Sequence, residues 1–295
     1  MTQTPTSPPL PEFGAYALPE QRETLRKKAD KFGMSTLGRW AISYYRKRAF
    51  KDLPEPFDIH VMPGVNARVW PRSNRCEKRA FAGVQIWDAA EHKALASALY
   101  AKDTSNTEPF VFLDIGANVG FYSLILSARA KDADKDIRIL AVEPDTTNRE
   151  RFQFNQQASS NAFGATDIDI LNCAISDQEG AGDMVGGSTN RGEVRLGSAN
   201  TNAKTSTPSI AIKTLHSICE LSDITYIDAL KLDIEGHDER ALRAFFTTAP
   251  QSLWPKLMVL ETGKAPTTPL LELCAQYGYT LITRSGINSV LTREQ

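Results

Sequence analysis

The sequence predicts an α/β fold with a mostly parallel β-sheet, helices on both faces and an antiparallel strand near one edge. Two observations lead to this prediction. From residue 109 onward, short apolar runs alternate with helical stretches, as in repeated β–α units. The last two apolar runs, 279–284 and 288–292, are joined at Ser285-Gly286, which is typical of a hairpin. A helical and β-hairpin extension is predicted before this sheet.

The apolar runs give the strands of the sheet, and the stretches that follow them give its helices. Strands are predicted at 110–114, 137–143, 168–172, 229–233 and 257–261. Helices are predicted at 120–130, 146–159, 238–247 and 268–277.

The first 108 residues carry a different pattern. Residues 1–20 contain five prolines and are predicted to form a disordered tail. Residues 21–51 are predicted to form one or two basic helices. A β-hairpin turning at Pro63-Gly64, a further strand or loop near 81–87, and a helix over 89–101 complete this part. We therefore predict a tail (1–20), an N-terminal extension (21–108) and a catalytic domain (109–295).

The basic segment contains ten Lys and Arg residues but only two acids, Glu23 and Asp30. Such runs are typical of a solvated helix face. The alternative is peripheral contact with a membrane or with a phosphorylated carrier.

Composition excludes several classes of protein. The formal net charge of −1 does not favour binding to nucleic acid. The four cysteines include no C-x-x-C pair, so neither a zinc site nor a disulfide framework is indicated. No apolar run is long enough for a membrane span and no secretory signal is evident, so a cytoplasmic location is expected.

Four predicted strands end in an acid, namely Asp114, Glu143, Asp233 and Glu261. In an open parallel sheet, ligands bind at the carboxyl ends of the strands. Helix capping accounts for one such acid but less readily for four. We expect a ligand site at this edge, and we expect the polar insertion over 180–209 to lie near it.

The first turn reads Asp114-Ile-Gly116-Ala-Asn118-Val-Gly120. Glycine allows a tight turn and a close approach of ligand to backbone. The dinucleotide pattern G-x-G-x-x-G is absent, and the carboxylate of Asp114 would repel a pyrophosphate. S-adenosylmethionine, which carries an ammonium group beside a carboxylate, suits this turn better. Asp114, Gly116, Asn118 and Gly120 are therefore predicted to bind that cofactor.

Two further stretches are assigned to the same cofactor. Glu143 follows Gly120 by 23 residues, a spacing that suits hydrogen bonds to ribose hydroxyls. After the third strand, backbone groups near Ala174 and the side chain of Asp177 are candidates to contact the adenine edge. A role in turn formation accounts for Asp177 equally well.

These stretches resemble the FkbM family of methyltransferases. The resemblance rests on the turn at 114–120, on Ala141-Val-Glu-Pro144, on 172–177, and above all on Lys231-Leu-Asp-Ile-Glu-Gly236. It runs from about residue 110 to 283 and implies a Rossmann-like fold. It also implies O-methylation of a hydroxyl on a sugar, glycan or other natural product. Residues before about 57 do not share the pattern.

Catalytic candidates lie in Asp233-Ile-Glu235-Gly-His237. An alcohol is a weak nucleophile, so a base that removes its proton should help methyl transfer. Asp233 and Glu235 would share one face if the strand continued, and neighbouring carboxylates raise one pKa. His237 is an alternative base or a helix-start residue without chemistry. All three suit a divalent metal, but no further cluster completes a set, so no metal is expected.

The sequence leaves other interpretations open. A nicotinamide-dependent oxidoreductase also needs a glycine turn and a ribose acid. A catalytically silent Rossmann-like binding module is possible on fold grounds alone. A nitrogen acceptor is disfavoured because no Asn-Pro-Pro-Tyr type of motif occurs. The identity of the acceptor and the oligomeric state cannot be read from the sequence.

Overall fold

The architecture is a three-layer α/β fold with an N-terminal extension packed against one face. The computed structural model describes residues 11–83, 87–103, 108–185, 195–196 and 209–293. None of the helices in these ranges is both long enough and apolar enough to span a bilayer.

The extension consists of two helices, a β-hairpin and two further helices. Ser35 caps the second helix by accepting a hydrogen bond from the Gly38 amide, and Asn74 caps the third. The elements are α1 (Glu20–Ala29), α2 (Thr36–Phe50), β1 (Phe57–Met62), β2 (Val65–Val69), α3 (Arg75–Ala80) and α4 (Ala89–Ala101).

The remaining strands form one large sheet and two small ones. In chain order they are β3 (Phe110–Ile115), β4 (Ile137–Val142), β5 (Ile168–Leu171), β6 (Ala174–Ile175), β7 (Gly180–Gly182), β8 (Met184–Val185), β9 (Arg195–Leu196), β10 (Ile210–Lys213), β11 (Ala229–Leu232), β12 (Leu257–Glu261), β13 (Tyr279–Ser285) and β14 (Asn288–Arg293). The helices between them are α5 (Phe121–Asp132), α6 (Thr146–Phe163), α7 (Leu215–Leu221), α8 (Asp238–Thr248) and α9 (Pro269–Gln276).

The large sheet has seven strands in the order β13-β14-β12-β11-β3-β4-β5. Strands β5, β4, β3, β11 and β12 are parallel, whereas β14 runs antiparallel between β12 and β13. The chain leaves β3 on one side toward β4 and returns on the other side as β11. This reversal of strand order is a topological switch point, where ligands bind in open α/β sheets. The predicted fold class is confirmed.

Apolar residues fill both sides of the sheet. On one side, β3 and helices α4 to α6 share a single hydrophobic cluster with Phe57, Ile59 and Phe81 of the extension. On the other side, α7, α8 and α9 cover a second cluster that includes Leu230 and Phe245. The extension and the sheet therefore share one core, and the division at residue 108 stays a prediction.

The structure differs from the sequence predictions near the N-terminus. Residues 11–19, predicted as part of a disordered tail, are held by the buried carboxylate of Asp58. That carboxylate accepts hydrogen bonds from the amides of Gly14 (2.8 Å) and Tyr16 (3.0 Å). Residues 1–10 lie outside the described residues. The turn at 81–83 agrees with the loop alternative expected near 81–87, and residues 84–86 lie outside the described residues. Helix α3, just before this turn, was not predicted.

The insertion predicted over 180–209 is described only at residues 180–185, 195–196 and 209. Strand β10 pairs with β6 in parallel and with β7 antiparallel, and β8 pairs with β9. Residues 186–194 and 197–208 lie outside the described residues, so the prediction that this stretch lies near the active site is untested.

Candidate active site

A pocket of about 330 Å³ opens at the carboxyl ends of β3, β4, β11 and β12. This volume is within the range of small-molecule sites. Seven of the ten predicted site residues line it, namely Gly116, Asn118, Glu143, Ala174, Asp233, Glu235 and His237. Asp114, Gly120 and Asp177, which also belong to the described residues, lie outside its lining.

The loop after β3 passes very close to the end of β11. Gly116 has φ +75, and a Cβ there would lie 1.9 Å from the carbonyl oxygen of Asp233. Lys231 Nζ donates a hydrogen bond to the Gly116 carbonyl at 2.6 Å. Glycine is required at this position because the two strand ends come together, and Lys231 fastens the loop there.

Asp114 is buried beneath this loop. Its Oδ2 accepts hydrogen bonds from the Ser123 hydroxyl (2.7 Å) and amide (3.2 Å). Its Oδ1 has no hydrogen-bond partner among the described residues and lies 3.9 Å from Lys231 Nζ. Burial raises the pKa of Asp114, against the opposing effect of Lys231. Lys231 Nζ also lies 3.7 Å from the pocket residue Asp233, and the predicted contact of Asp114 with the cofactor stays a prediction.

Glu143 faces the pocket from the end of β4. Its two carboxylate oxygens accept hydrogen bonds from the amides of Asn118 (2.7 Å) and Asp145 (2.9 Å). Burial raises its pKa to about 7 although both bonds act to lower it. Because each oxygen retains a lone pair, the side chain is able to accept hydrogen bonds from ligand hydroxyls.

Gly120 and Asp177 have other neighbours. A Cβ on Gly120, which has φ +83, would lie 2.0 Å from the Phe152 ring, so glycine is needed for packing. Asp177 accepts hydrogen bonds from Ser176 (2.9 Å) and Arg240 (3.0 Å). Ala174, by contrast, lines the pocket. The cofactor roles of these residues stay predictions.

The catalytic candidates lie on a turn rather than on a continued strand. Strand β11 ends at Leu232, and Glu235 has φ +53, so Asp233 and Glu235 do not share a strand face. The Asp238 carboxylate holds the turn by accepting hydrogen bonds from the amides of Ile234 and Gly236, both at 3.2 Å. This turn nevertheless directs both acids to the pocket.

The close carboxylate partner of Asp233 is Glu261 at the end of β12. The two side chains are hydrogen-bonded, and burial followed by the charge of Asp233 raises the pKa of Glu261 to about 8. Lys231 lies 3.7 Å from Asp233 on the other side. Burial alone would lower the pKa of Lys231, but Asp233 and Asp114 outweigh burial and raise it. Near neutral pH the Glu261 carboxyl therefore keeps its proton in the hydrogen bond to Asp233.

His237 precedes α8 at the pocket edge. Its Nδ1 lies 3.3 Å from the hydroxyl of Ser176. Within the described residues, no group of three or more His, Cys, Asp or Glu side chains is arranged to hold a metal ion.

Residues 114–279 match the Methyltransferase FkbM domain family, which is more than half of the chain. The chain belongs to the FkbM methyltransferase family. The resemblance identified from the sequence is thereby confirmed. No curated protein sequence matches the chain.

Solved structures of methyltransferases are similar to this chain at low identity. A methyltransferase FkbM from Methylobacillus flagellatus KT is 13% identical, with a TM-score of 0.41, over 92% of this chain and 59% of that one. A SAM-dependent methyltransferase from Agrobacterium tumefaciens is 12% identical, with a TM-score of 0.42, over 82% of this chain and 70% of that one. This chain therefore spans less than two thirds of the Methylobacillus protein.

One wall of the pocket lies outside the FkbM match. It comes from the extension and consists of Arg75, Cys76, Arg79, Trp87 and Asp88. These residues were missed because no local pattern links them to the strand ends, and only long-range packing brings them there.

Other lining residues were also missed, although two carried a signal. Lys231 lies inside the family stretch at 231–236, and Glu261 was noted as a strand-end acid, but neither was assigned a role. Tyr122, whose hydroxyl donates to Asp88 at 3.0 Å, and Asn288 of the closing hairpin carried no signal.

Proposed function

We propose that this chain is an S-adenosylmethionine-dependent O-methyltransferase acting on a hydroxyl of a sugar, glycan or other natural product. One observation carries the proposal. Glu143 and the hydrogen-bonded pair Asp233–Glu261 line the same pocket. A side chain that can accept hydrogen bonds from the ribose hydroxyls and a candidate base therefore face one cavity. Membership of the FkbM family supports methyl transfer as the reaction.

The charges of the pocket fit this cofactor. Five acids line it, namely Asp88, Glu143, Asp233, Glu235 and Glu261. Three lining cations, Arg75, Arg79 and Lys231, balance part of this charge, and Glu143 and Glu261 are fully ionised only above their raised pKa values of about 7 and 8. A cationic sulfonium and ammonium suit such a surface, whereas the pyrophosphate of a nicotinamide dinucleotide would be repelled.

The cofactor, when bound, supplies an electrophilic methyl group. Glu143 would accept hydrogen bonds from the ribose hydroxyls, and the Gly116 loop would hold the amino-acid end. The Asp233–Glu261 pair would take the proton from the acceptor hydroxyl oxygen as that oxygen attacks. Lys231 positions Asp233 at 3.7 Å, and the surrounding walls align the acceptor and limit access of water.

The wall of the pocket formed by the extension carries two arginines, one of which, Arg79, lies 3.8 Å from Asp88, and we assign the acceptor to this wall. Arg75 and Arg79 lie four residues apart on α3 and both line the cavity. Guanidinium groups bind phosphate and carboxylate strongly. These residues favour an acceptor that carries an anionic group beside its hydroxyl, such as a sugar phosphate or an acidic glycan.

Calorimetric titration tests the proposed cofactor directly. We expect S-adenosylhomocysteine to bind with one site per chain, and we expect no binding of NADH under the same conditions. Binding of NADH alone would favour an oxidoreductase, and binding of neither ligand would favour a silent module.

Variants of the turn after β11 test the proposed chemistry. We expect Asp233→Ala and Glu235→Ala to abolish transfer of a labelled methyl group to acceptors found in a screen of hydroxylated compounds. Binding of S-adenosylhomocysteine should survive in both variants. If both lose it, the two acids belong to cofactor binding instead.

A further inference from the structure

An apolar patch is exposed on α2 and on the residue stretch before it. Met34, Leu37, Trp40 and Tyr44 are exposed by 54%, 81%, 69% and 44%. They account for four of the ten large hydrophobic side chains exposed in the described part of the chain. Exposed apolar residues are normally scattered singly, so this concentration within eleven residues indicates a binding surface.

The geometry of α2 makes this patch one continuous face. Leu37, Trp40 and Tyr44 are spaced three and then four residues apart, and the Trp40 and Tyr44 rings stack at 5.7 Å. Another face of α2 packs against the protein, because Ile42 and Tyr45 belong to the small hydrophobic cluster around Ala29. Helix α2 is thus fixed to the protein on one side and bare on the other.

Basic residues are frequent on α2, which carries the patch, and on the neighbouring α1. Exposed Lys and Arg side chains on and beside the two helices are Lys27, Lys28, Lys31, Arg39, Lys47, Arg48 and Lys51. The Arg48 guanidinium lies 5.8 Å from the Tyr44 ring centroid. Over residues 21–51, ten basic residues face two acids, while the whole chain has a net charge of −1. One of those acids, Glu23, is bound by Arg26 at 2.7 Å. Positive charge is therefore concentrated on this side of an otherwise acidic molecule.

We propose that this patch docks the protein on a membrane surface rich in anionic lipid. Trp40, Leu37 and Tyr44 would enter the interfacial layer, and the surrounding cations would contact lipid phosphates. Trp and Tyr flanked by Lys and Arg are the side chains that favour this layer. A symmetric dimer through the same patch would bring two equally positive surfaces together, which like-charge repulsion opposes.

The docking surface is connected to the active-site pocket. Arg46 of α2 donates a hydrogen bond to the Lys78 carbonyl of α3 at 3.3 Å. Helix α3 also carries Arg75 and Arg79, which line the pocket. Trp40 lies six residues from Arg46, about 9 Å along the helix axis. Docking through the patch would therefore hold the basic wall of the pocket near the lipid headgroups.

Vesicle sedimentation without cofactor or acceptor tests this proposal separately from the methyltransferase function. We expect the full chain to bind phosphatidylcholine vesicles that contain about 30% phosphatidylglycerol, and to be released as ionic strength rises. Binding to pure phosphatidylcholine should be at least about tenfold weaker. Tryptophan emission should shift to shorter wavelength on binding, because Trp40 is the exposed one of the four tryptophans.

Matched variants distinguish vesicle binding through this patch from non-specific adsorption. Leu37→Ser combined with Trp40→Ser, and separately Lys47→Glu with Arg48→Glu, should each reduce binding at least about tenfold. Leu221→Ser removes a side chain that is 67% exposed on α7, and Lys93→Glu reverses an exposed charge on α4. Both control variants should bind as the parent does. The parent and the four variants are first compared by circular dichroism. Folding should be retained because the replaced side chains are exposed or lie at helix surfaces.

Three outcomes would overturn the proposal. The first is no binding to anionic vesicles at low salt, which would mean that the patch is an ordinary solvated helix face. The second is equal loss of binding in the Leu221→Ser control. The third is a dimer in light scattering that the Leu37 and Trp40 substitutions dissociate, which would assign the patch to a second copy of the chain.

Discussion

At the residue scale, the chemistry of the site depends on the carboxyl pair formed by Asp233 and Glu261. A lone exposed carboxylate is fully ionised at neutral pH and is a weak base toward an alcohol. Burial and the neighbouring charge raise the pKa of Glu261 to about 8, so the pair retains a proton near neutrality. A base whose pKa lies near the working pH is better matched to proton abstraction.

This pair predicts the pH dependence of methyl transfer. Because the base must be deprotonated to act, the rate should rise as pH increases through about 8. Glu261→Gln should keep the hydrogen bond to Asp233 but remove the titration, so the rise should disappear or move to lower pH. Rate measurements between pH 6 and pH 10 would check this, at about one-unit intervals.

An infrared titration provides a readout that does not need an acceptor. The carbonyl band of protonated Glu261 should vanish in the parent near pH 8 and be missing from the Glu261→Gln difference spectrum, whereas the band of Glu77, whose pKa burial also raises to about 8, should stay in both. His237→Asn is the control and should retain the band and the rate profile. An unchanged rise in Glu261→Gln, lost instead in His237→Asn, would make the histidine the base.

Glu143 gives a second prediction at this scale. Ribose hydroxyls would donate to its ionised form, and its pKa is raised to about 7, mainly by burial. Affinity for S-adenosylhomocysteine should therefore fall as pH decreases through about 7. Glu143→Ala should weaken binding by about tenfold or more at pH 8. Calorimetry would measure both effects, and pH-independent binding that survives the substitution would remove Glu143 from the site.

At the element scale, a buried ion pair joins the β-hairpin to the segment before α1. Arg68 and Asp58 are each about 1% exposed at the side chain and form two hydrogen bonds of 2.7 and 2.9 Å. Arg68 also donates to the carbonyls of Pro11 and Glu12, both at 2.8 Å. The Tyr16 and Phe154 rings enclose its guanidinium at 4.6 and 4.1 Å.

Removal of Arg68 should be strongly destabilising. Arg68→Met leaves the buried carboxylate of Asp58 without its counter-ion, which should lower the free energy of unfolding by about 3–5 kcal/mol. Lys51→Met breaks an exposed pair with Asp52, at 4.0 Å, and should cost less than about 0.5 kcal/mol. Urea denaturation of the three proteins compares these values. Equal stability of Arg68→Met and the parent would show that the pair does not hold this segment.

The elements differ in how far the sequence could predict them. Strands β3, β4, β11 and β12 were predictable because each is an apolar run bounded by polar residues and buried on both faces. Helix α3 was not, because its six residues, Arg-Cys-Glu-Lys-Arg-Ala, carry no apolar periodicity. The turn conformation of Glu235 was also unpredictable, since φ values above zero are uncommon for residues other than glycine.

The residues of the candidate site also differ in whether the sequence could predict them. Glu143, Asp233 and the loop at Gly116 were predictable because strand ends and glycine turns have local patterns. The wall formed by Arg75, Trp87 and Asp88 was not, because it depends on packing between segments far apart in sequence. The burial of Asp114 beneath Lys231 belongs to the same class of long-range contact.

At the scale of the whole molecule, the extension contributes to both the core and the pocket. Phe57, Ile59 and Phe81 belong to the same hydrophobic cluster as Phe112 and Phe121 of the sheet layer. Burial of one such side chain stabilises a fold by about 1.5–3 kcal/mol, and a whole domain has only about 5–15 kcal/mol to lose. The sheet should therefore depend on the extension for its stability.

A chain that begins at Glu108 tests this dependence. Although the family match begins only at residue 114, we expect the shortened chain to aggregate or to melt without a cooperative transition, because one face of its core is uncovered. Circular dichroism melting and gel filtration would report this. A chain shortened by residues 1–10 is the control and should melt like the parent, since the described N-terminal partners of Arg68 and Asp58 all lie at Pro11 or later. If the shortened chain is instead monomeric and its melting temperature is unchanged, residues 109–295 fold as an independent domain. The role of the extension would then be limited to its wall of the pocket.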